Sequence, residues 1–277
     1  WGGEGRTEIP QGNGGRYNSA TDTWTSISTV GAPTPRIAFS ATWIGDLMAV
    51  WGGKEYSTAK VVNSGARYDF ATDTWSPISA LNAPSGRGAH SALWTGSQLI
   101  IFGGQNASAV RFDSGGRYNP ATDRWTPTSL GTGPPPRSQH AAVWTGHEMI
   151  VWGGLGWLQG PLSDGGRYDP ATDSWRGLST IDAPAAGTGS LAIWTGEEMI
   201  VWSGLTLPIG SLSARRYNPA TNTWSAAGAM SLPLPLVKTA VWMDDRAILW
   251  GFGVAAQYDS LADIWLPVST LGAPPAS

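Results

Sequence analysis

Short apolar runs, each bounded by glycine or polar turn residues, recur along the whole chain. In residues 140–154 the sequence HAAVW is followed by a turn centred on Thr-Gly and then by MIVWGG. Runs of this length that are rich in Val, Ile and Trp favour strands over helices. The aromatic pair of this unit, Trp144 and Trp152, keeps the same spacing in the other copies. We therefore predict a β-hairpin whose turn never changes length.

A second hairpin follows each of these units. The sequence RYNPATDRW (117–125) recurs in close form at 16–24, 67–75, 167–175, 216–224 and 257–265, so that its final tryptophans are 51, 50, 50, 49 and 41 residues apart. Proline presets a turn dihedral angle, and the flanking Asp or Asn side chains accept hydrogen bonds from nearby amides. Two hairpins in every repeat of about 50 residues, without a helical pattern, predict an all-β array of four-stranded units.

Four-stranded units that stack radially form a β-propeller. A Gly-Gly pair after the second strand, then a tyrosine and a tryptophan, as at Gly53, Tyr68 and Trp75, resemble the Kelch repeat. The resemblance covers residues 1–277, which we expect to form a single domain. It implies a Kelch propeller and says little about activity, because the family includes enzymes and binding modules.

The count of hairpins indicates six blades, one of them incomplete. The chain has six copies of the second hairpin and five of the first, so one antiparallel blade lacks its first two strands. One interpretation is that the sequence is a piece of a longer polypeptide that supplies these strands. The alternative is that a strand from another chain fills the open edge.

Composition excludes several function classes. Charged residues are 13% of the chain and the net charge is −3, which is unlike the basic surface that nucleic acids require. The apolar runs have strand length, so we expect no membrane insertion. The chain has no cysteine and 3 histidines, so we expect no metal and no cofactor. We expect an extracellular or periplasmic location. His147 and Glu148 lie in a first-hairpin turn and are expected to be solvated.

Candidate functional residues are those that the repeat does not explain. Trp157 and Tyr56 lie outside the repeated aromatic positions, in the variable loops that join the second and third strands. The resemblance to Kelch propellers implies that these loops form the ligand-binding face. Either ring could contact a partner or stack on a sugar. The alternative is that each ring packs only against its own loop.

Three arginines form the second candidate group. Arg36, Arg87 and Arg137 occupy equivalent positions before the first strand of consecutive repeats. On one arc of a funnel their charges would repel one another, and an anion would relieve that repulsion through charge-assisted hydrogen bonds. Three residues further on, the equivalent positions hold the polar side chains His90, His140 and Lys238. An equally favoured alternative is that each arginine braces its own loop by donating hydrogen bonds to carbonyls.

These residues predict a binding module more than an enzyme. We expect a non-catalytic propeller that binds an acidic protein, peptide or carbohydrate on the funnel face. One alternative is a carbohydrate-active enzyme that resembles the Kelch sialic-acid epimerases, although no general base stands beside the arginines in the sequence. The other is a structural extracellular module that assembles through its open blade.

Overall fold

The computed structural model describes residues 1–2, 11–157, 160–187, 189–203, 213–228, 237–243, 245–251 and 254–268. Every regular element within these ranges is a β-strand. No helix in them is long and apolar enough to cross a membrane. The chain divides into two compact units, unit 1 (residues 1–130 and 136–138) and unit 2 (residues 131–135 and 139–277). The expectation of a single domain stays a prediction.

The strands of both units are short, as the apolar runs predict. Unit 1 contains β1 (Gly15–Asn18), β2 (Thr23–Ser26), β3 (Arg36–Ile37), β4 (Ser40–Ile44), β5 (Leu47–Trp51), β6 (Lys54–Glu55), β7 (Gly65–Asp69), β8 (Thr74–Ile78), β9 (Ser91–Trp94), β10 (Leu99–Phe102), β11 (Gly115–Asn119) and β12 (Arg124–Pro127). Unit 2 contains β13 (Ala141–Trp144), β14 (Met149–Trp152), β15 (Leu155–Gly156), β16 (Gly160–Pro161), β17 (Gly165–Asp169), β18 (Ser174–Gly177), β19 (Leu191–Trp194), β20 (Met199–Ser203), β21 (Ser213–Asn218), β22 (Thr223–Ala226), β23 (Val237–Met243), β24 (Arg246–Gly251), β25 (Val254–Asp259) and β26 (Ile264–Pro267).

Five four-stranded antiparallel sheets are present in the described part of the chain. Their strand orders are β4-β5-β7-β8, β9-β10-β11-β12, β13-β14-β17-β18, β19-β20-β21-β22 and β23-β24-β25-β26. Below, the strands of each sheet are called first to fourth in these orders. Each sheet is a pair of consecutive hairpins, as predicted, and the architecture is that of β-propeller blades. Strands β1 and β2 form a two-stranded sheet, and a sixth complete blade stays a prediction.

Side-chain hydrogen bonds fix the turn between the third and fourth strands. In the second four-stranded sheet, the Asn119 side chain accepts a hydrogen bond from the Ala121 amide at 2.9 Å. The Tyr118 hydroxyl donates to Asp123 at 2.7 Å, and Asp123 has a φ of 53°. Asp and Asn tolerate this left-handed conformation better than most residues. The repeated Asn/Asp-Pro-Ala-Thr-Asp sequence is therefore a structural turn, as predicted.

The repeated aromatic residues fill the core. The third-strand tyrosines of the five four-stranded sheets are fully buried: Tyr68, Tyr118, Tyr168, Tyr217 and Tyr258. Each fourth-strand tryptophan packs on the tyrosine beside it, with ring centroids 5.1 Å apart for Tyr118 and Trp125. The Trp125 indole also donates to the Ser79 carbonyl at 2.8 Å, which joins the sheet to the preceding linker. Burial of this aromatic surface stabilises each unit.

Candidate functional site

The loops between second and third strands pack against the linkers that enter the first strands. In unit 1, β3 pairs with β6, so that Arg36 lies opposite Glu55 and Ile37 opposite Lys54. The approach requires glycine, because a Cβ on Gly53 would lie 2.7 Å from the Ile37 carbonyl oxygen. Gly53 also has a φ of 89°, which side chains disfavour. The Gly52-Gly53 pair thus fixes the start of a candidate binding loop.

Arg36 lies beneath the loop of residues 54–64. The side chain is 2% exposed, and its Nη1 donates to the carbonyls of Gly52 and Ser64 at 3.0 Å each. Its Nε donates to the Thr34 carbonyl at 2.9 Å, and Nη2 lies 3.6 Å from the Glu55 carboxylate. Burial lowers the pKa of Arg36, and Glu55 partly opposes this shift. These contacts join both ends of the loop to the linker.

Arg87 repeats this arrangement beneath the loop of residues 103–114. The side chain is 1% exposed and donates to the carbonyls of Ser85, Gly103 and Ser114 at 2.9, 2.9 and 2.7 Å. Its guanidinium lies 4.3 Å from the centre of the Phe112 ring, which is a cation–π distance. Burial lowers the pKa of Arg87 to about 10, with partial compensation by Asp113. The geometry is that of the bracing alternative.

The remaining members of the arginine group differ in their surroundings. Arg137 is fully buried in unit 1, where its main chain pairs with Phe112. His90 lies 2.9 Å from the Ser40 hydroxyl, and burial followed by repulsion from Arg87 lowers its pKa to about 3. His90 is therefore neutral at physiological pH. His140 is half-buried in unit 2, and Lys238 lies in β23 with its side chain outside the described part. Direct ligand binding by these residues stays a prediction.

Tyr56 stands at the tip of the first loop, with 57% of the residue exposed. Its amide donates to the Pro35 carbonyl at 3.0 Å, which fixes its main chain against the linker. The neighbouring Glu55 accepts hydrogen bonds from Thr34 at 2.7 Å and Thr58 at 2.8 Å. These bonds, the Thr34 bond foremost, hold the pKa of Glu55 below its usual value. Glu55 is thus an internal carboxylate, and Tyr56 faces solvent.

Trp157 occupies the corresponding loop of the third four-stranded sheet. It follows the short hairpin strand β15, is 52% exposed and belongs to unit 2. Residues 158 and 159, which follow it, are outside the described ranges. Trp157 and Tyr56 are both exposed loop aromatics, as predicted, and their contact with a ligand is untested.

The sequence interpretation missed two lysines and misjudged one glutamate. Lys54 and Lys60 flank Tyr56 and are exposed, and Lys60 also interacts electrostatically with Glu55. Counting charge along the 54–64 loop would have found them, because Glu55 is its single acid. His147 is solvated as expected, but Glu148 is 8% exposed, so its predicted solvation is wrong. Its side chain folds under the turn toward Arg167, 3.7 Å away.

Comparisons with known proteins agree with this architecture. Residues 1–130 match the family model described as the KLHDC2/KLHL20/DRC7 Kelch-repeats domain. A human protein, Kelch domain-containing protein 3, is 36% identical over 103 residues, which is 33% of this chain and 26% of that protein. The matched segment thus spans about a quarter of the human relative.

Proposed function

Because the chain belongs to the Kelch-repeat family, we propose that it is a non-catalytic protein-binding module that recognises an acidic segment of its partner. We place the contact on residues 54–60 of unit 1, which we call the lysine loop. The observation that carries this proposal is the division of charge within the loop. Glu55 is held internally, whereas Lys54 and Lys60 face solvent on either side of the exposed Tyr56 ring.

Each member of the lysine loop has a separate task in this proposal. The two ammonium groups attract carboxylates, and charge complementarity of this kind raises the association rate and selects the partner. Tyr56 supplies a large apolar ring with a hydroxyl group, which is typical of residues that dominate interface energetics. Arg36 holds the loop in place from below, so that little conformational entropy is lost when a partner binds.

An array of immobilised peptides tests the proposal. Peptides rich in Asp and Glu should bind the chain, and Lys/Arg-rich peptides of equal length should not bind the lysine loop. Lys60→Glu and Tyr56→Ala should each weaken binding of the acidic peptides about tenfold. Arg124→Glu is the matched control, because Arg124 is exposed on β12, away from the loop. Equal losses in Lys60→Glu and Arg124→Glu would contradict a localised site.

The alternative acidic ligand is a carbohydrate. The same variants distinguish a protein ligand from a carbohydrate ligand. On a parallel array of sialylated and uronic-acid glycans, we expect no binding that depends on Tyr56, so Tyr56→Ala should leave any glycan signal unchanged. A glycan signal that Tyr56→Ala removes would replace the protein partner by a sugar. Arg36 and Arg87 donate to main-chain carbonyls, so we do not extend the proposal to catalysis on acidic sugars.

A second candidate function is assembly by strand addition, and the two-stranded sheet of β1 and β2 favours it. Tyr17 and Trp24 are 49% and 72% exposed, whereas the tyrosines equivalent to Tyr17 in the four-stranded sheets are fully buried. A strand pairing with β1 would cover this surface, and it could come from a longer form of the same polypeptide or from a partner chain. The molar mass from light scattering, measured over a concentration series, shows whether copies of the chain assemble with one another. A constant monomer mass would contradict self-assembly.

A further inference from the structure

Unit 2 contains a groove between its first two four-stranded sheets, at the ends of the sheets opposite the loops that join second and third strands. We call it groove A. Its volume is about 510 Å³, and its lining includes Glu148, Arg167 and Arg176 from one sheet and Trp194, Glu197 and Pro219 from the next. The groove belongs to unit 2, whereas the lysine loop belongs to unit 1. Of its acidic residues, Asp169 belongs to the repeated turn, whereas Glu148 and Glu197 are not part of the repeat pattern.

Glu148 is the buried acid of groove A, and its charge is incompletely satisfied. The residue is 8% exposed, and the nearest cationic atom, Arg167 Nε, is 3.7 Å from its carboxylate. A direct charge-assisted hydrogen bond would be about 2.8 Å long. Arg167 Nη1 donates instead to the Pro219 carbonyl, and its buried Nε has no hydrogen-bond partner among the described residues. The Glu148 carboxylate therefore retains the capacity to accept hydrogen bonds from a group in the groove.

The scaffold does not require an acid at this position. The residues equivalent to Glu148 in the two preceding repeats are Leu47 and Gln98. Both repeats form complete four-stranded sheets. In unit 1, Arg67 donates to the Pro120 carbonyl at 3.0 Å, which is the bond that Arg167 makes to Pro219. The arginines at 67 and 167 are thus both held by a proline carbonyl, although the preceding hairpin turn has Leu47 in one repeat and Glu148 in the other.

The next pair of sheets in unit 2 repeats the arrangement as groove B. This groove has a volume of about 520 Å³ and includes Glu197, Glu198, Arg216, Trp242 and Asp245 in its lining. Glu198 is equivalent to Glu148 and lies 3.6 Å from Arg216. The Arg216 Nη2 donates at the same time to Asp263 at 2.8 Å and to the Tyr258 hydroxyl at 2.6 Å. Glu197 lines both grooves and is exposed.

From these contacts we infer that grooves A and B dock a basic segment of a partner protein, with one Lys or Arg side chain in each groove. Oxygens of this chain already engage the guanidinium groups of Arg167 and Arg216, and for Arg216 they include the Asp263 carboxylate. Arg176 of groove A interacts electrostatically with Asp169. Glu148, Glu197 and Glu198, by contrast, have unused acceptor capacity. A partner cation supplies the donors that these carboxylates lack. Its aliphatic chain packs on the half-exposed rings of Trp194 and Trp242, which also attract cations.

The test uses fluorescein-labelled octalysine as the probe, with octaglutamate as the charge-reversed control, in fluorescence anisotropy at 0.15 M salt. The double substitution Glu148→Gln/Glu198→Gln introduces the residue that the chain itself has at Gln98. It should weaken octalysine binding at least tenfold and leave the folded structure intact. The exposed substitution Glu197→Gln, which leaves both buried carboxylates in place, should weaken binding about threefold.

The matched control is Asp46→Asn/Asp182→Asn, which removes two negative charges from exposed residues outside both grooves. This variant should bind octalysine within twofold of the wild type. Equal weakening in both double variants would mean that only the net charge attracts the probe, which overturns the inference. Wild-type affinity in Glu148→Gln/Glu198→Gln would overturn it as well. Neither outcome bears on the lysine loop, whose probes are acidic.

Discussion

Arg87→Ala tests whether the buried arginines are loop braces. The substitution removes four hydrogen bonds, to the carbonyls of Ser85, Gly103 and Ser114 and to the Ser114 hydroxyl, together with the contact on the Phe112 ring. Ser114 keeps another donor, because the Gly103 amide also bonds to its carbonyl. The Gly103 carbonyl loses its guanidinium partner in a buried position.

The expected loss of unfolding free energy follows from these contacts. An unsatisfied buried acceptor costs about 1–3 kcal/mol, and hydrogen bonds to a charged group contribute about 1.5–3 kcal/mol each. Burial of the guanidinium opposes this gain, as the lowering of its pKa to about 10 shows. We therefore expect a net destabilisation of about 2–4 kcal/mol, well below the sum of the separate bonds.

Urea denaturation followed by tryptophan fluorescence measures this quantity. Arg124→Ala is the control, because Arg124 is exposed and surface changes of this kind usually shift stability by less than about 0.5 kcal/mol. Arg87→Met keeps the apolar stem and should recover part of the loss. The bracing argument is refuted if Arg87→Ala unfolds like the wild type while binding of acidic peptides disappears, because the guanidinium would then face the ligand.

Further predictions concern three residues of unit 1: Trp51, Trp75 and His90. The Trp51 indole nitrogen is buried without a hydrogen-bond partner among the described residues, and Phe102 occupies the equivalent position, so Trp51→Phe should change stability by less than about 1 kcal/mol. Trp75→Phe, which removes a 2.8 Å bond to the Ser28 carbonyl, should cost about 1–2 kcal/mol more in the same urea assay. His90 has a pKa of about 3 in the folded chain, so the unfolded chain binds the extra proton and stability falls as the pH drops from about 6.5 toward 3. His90→Phe, the residue present at Phe39, should reduce this slope by at most about 1.4 kcal/mol per pH unit, and an unchanged slope would contradict a neutral His90 in the folded chain.

The repeat pattern predicts the sheets well because the repeated tyrosine and tryptophan make equivalent hydrogen bonds in the four-stranded units. The Tyr118 hydroxyl needs an acceptor, and Asp123 is placed five residues later to provide it. The Trp125 indole finds a carbonyl in the linker that precedes its sheet. Both partners are repeated in the sequence, so the pattern identifies them. The fate of Glu148 could not be predicted in this way, because its burial depends on Arg167 in another strand and not on its turn neighbours.

The arginines show where charge counted along a sequence misleads. Arg36 and Lys60 contribute equally to that count, but Arg36 donates to carbonyls at both ends of its loop while Lys60 is exposed. Burial therefore separates the cations into those that hold the loop and those that can reach a partner. Lys60→Glu is therefore expected to change acidic-peptide binding at constant stability, whereas Arg36→Ala lowers stability first and alters binding only through the position of the lysine loop. The opposite result, in which the arginine variant loses binding at constant stability and Lys60→Glu binds normally, would mean that the arginines contact the ligand and the lysine loop does not.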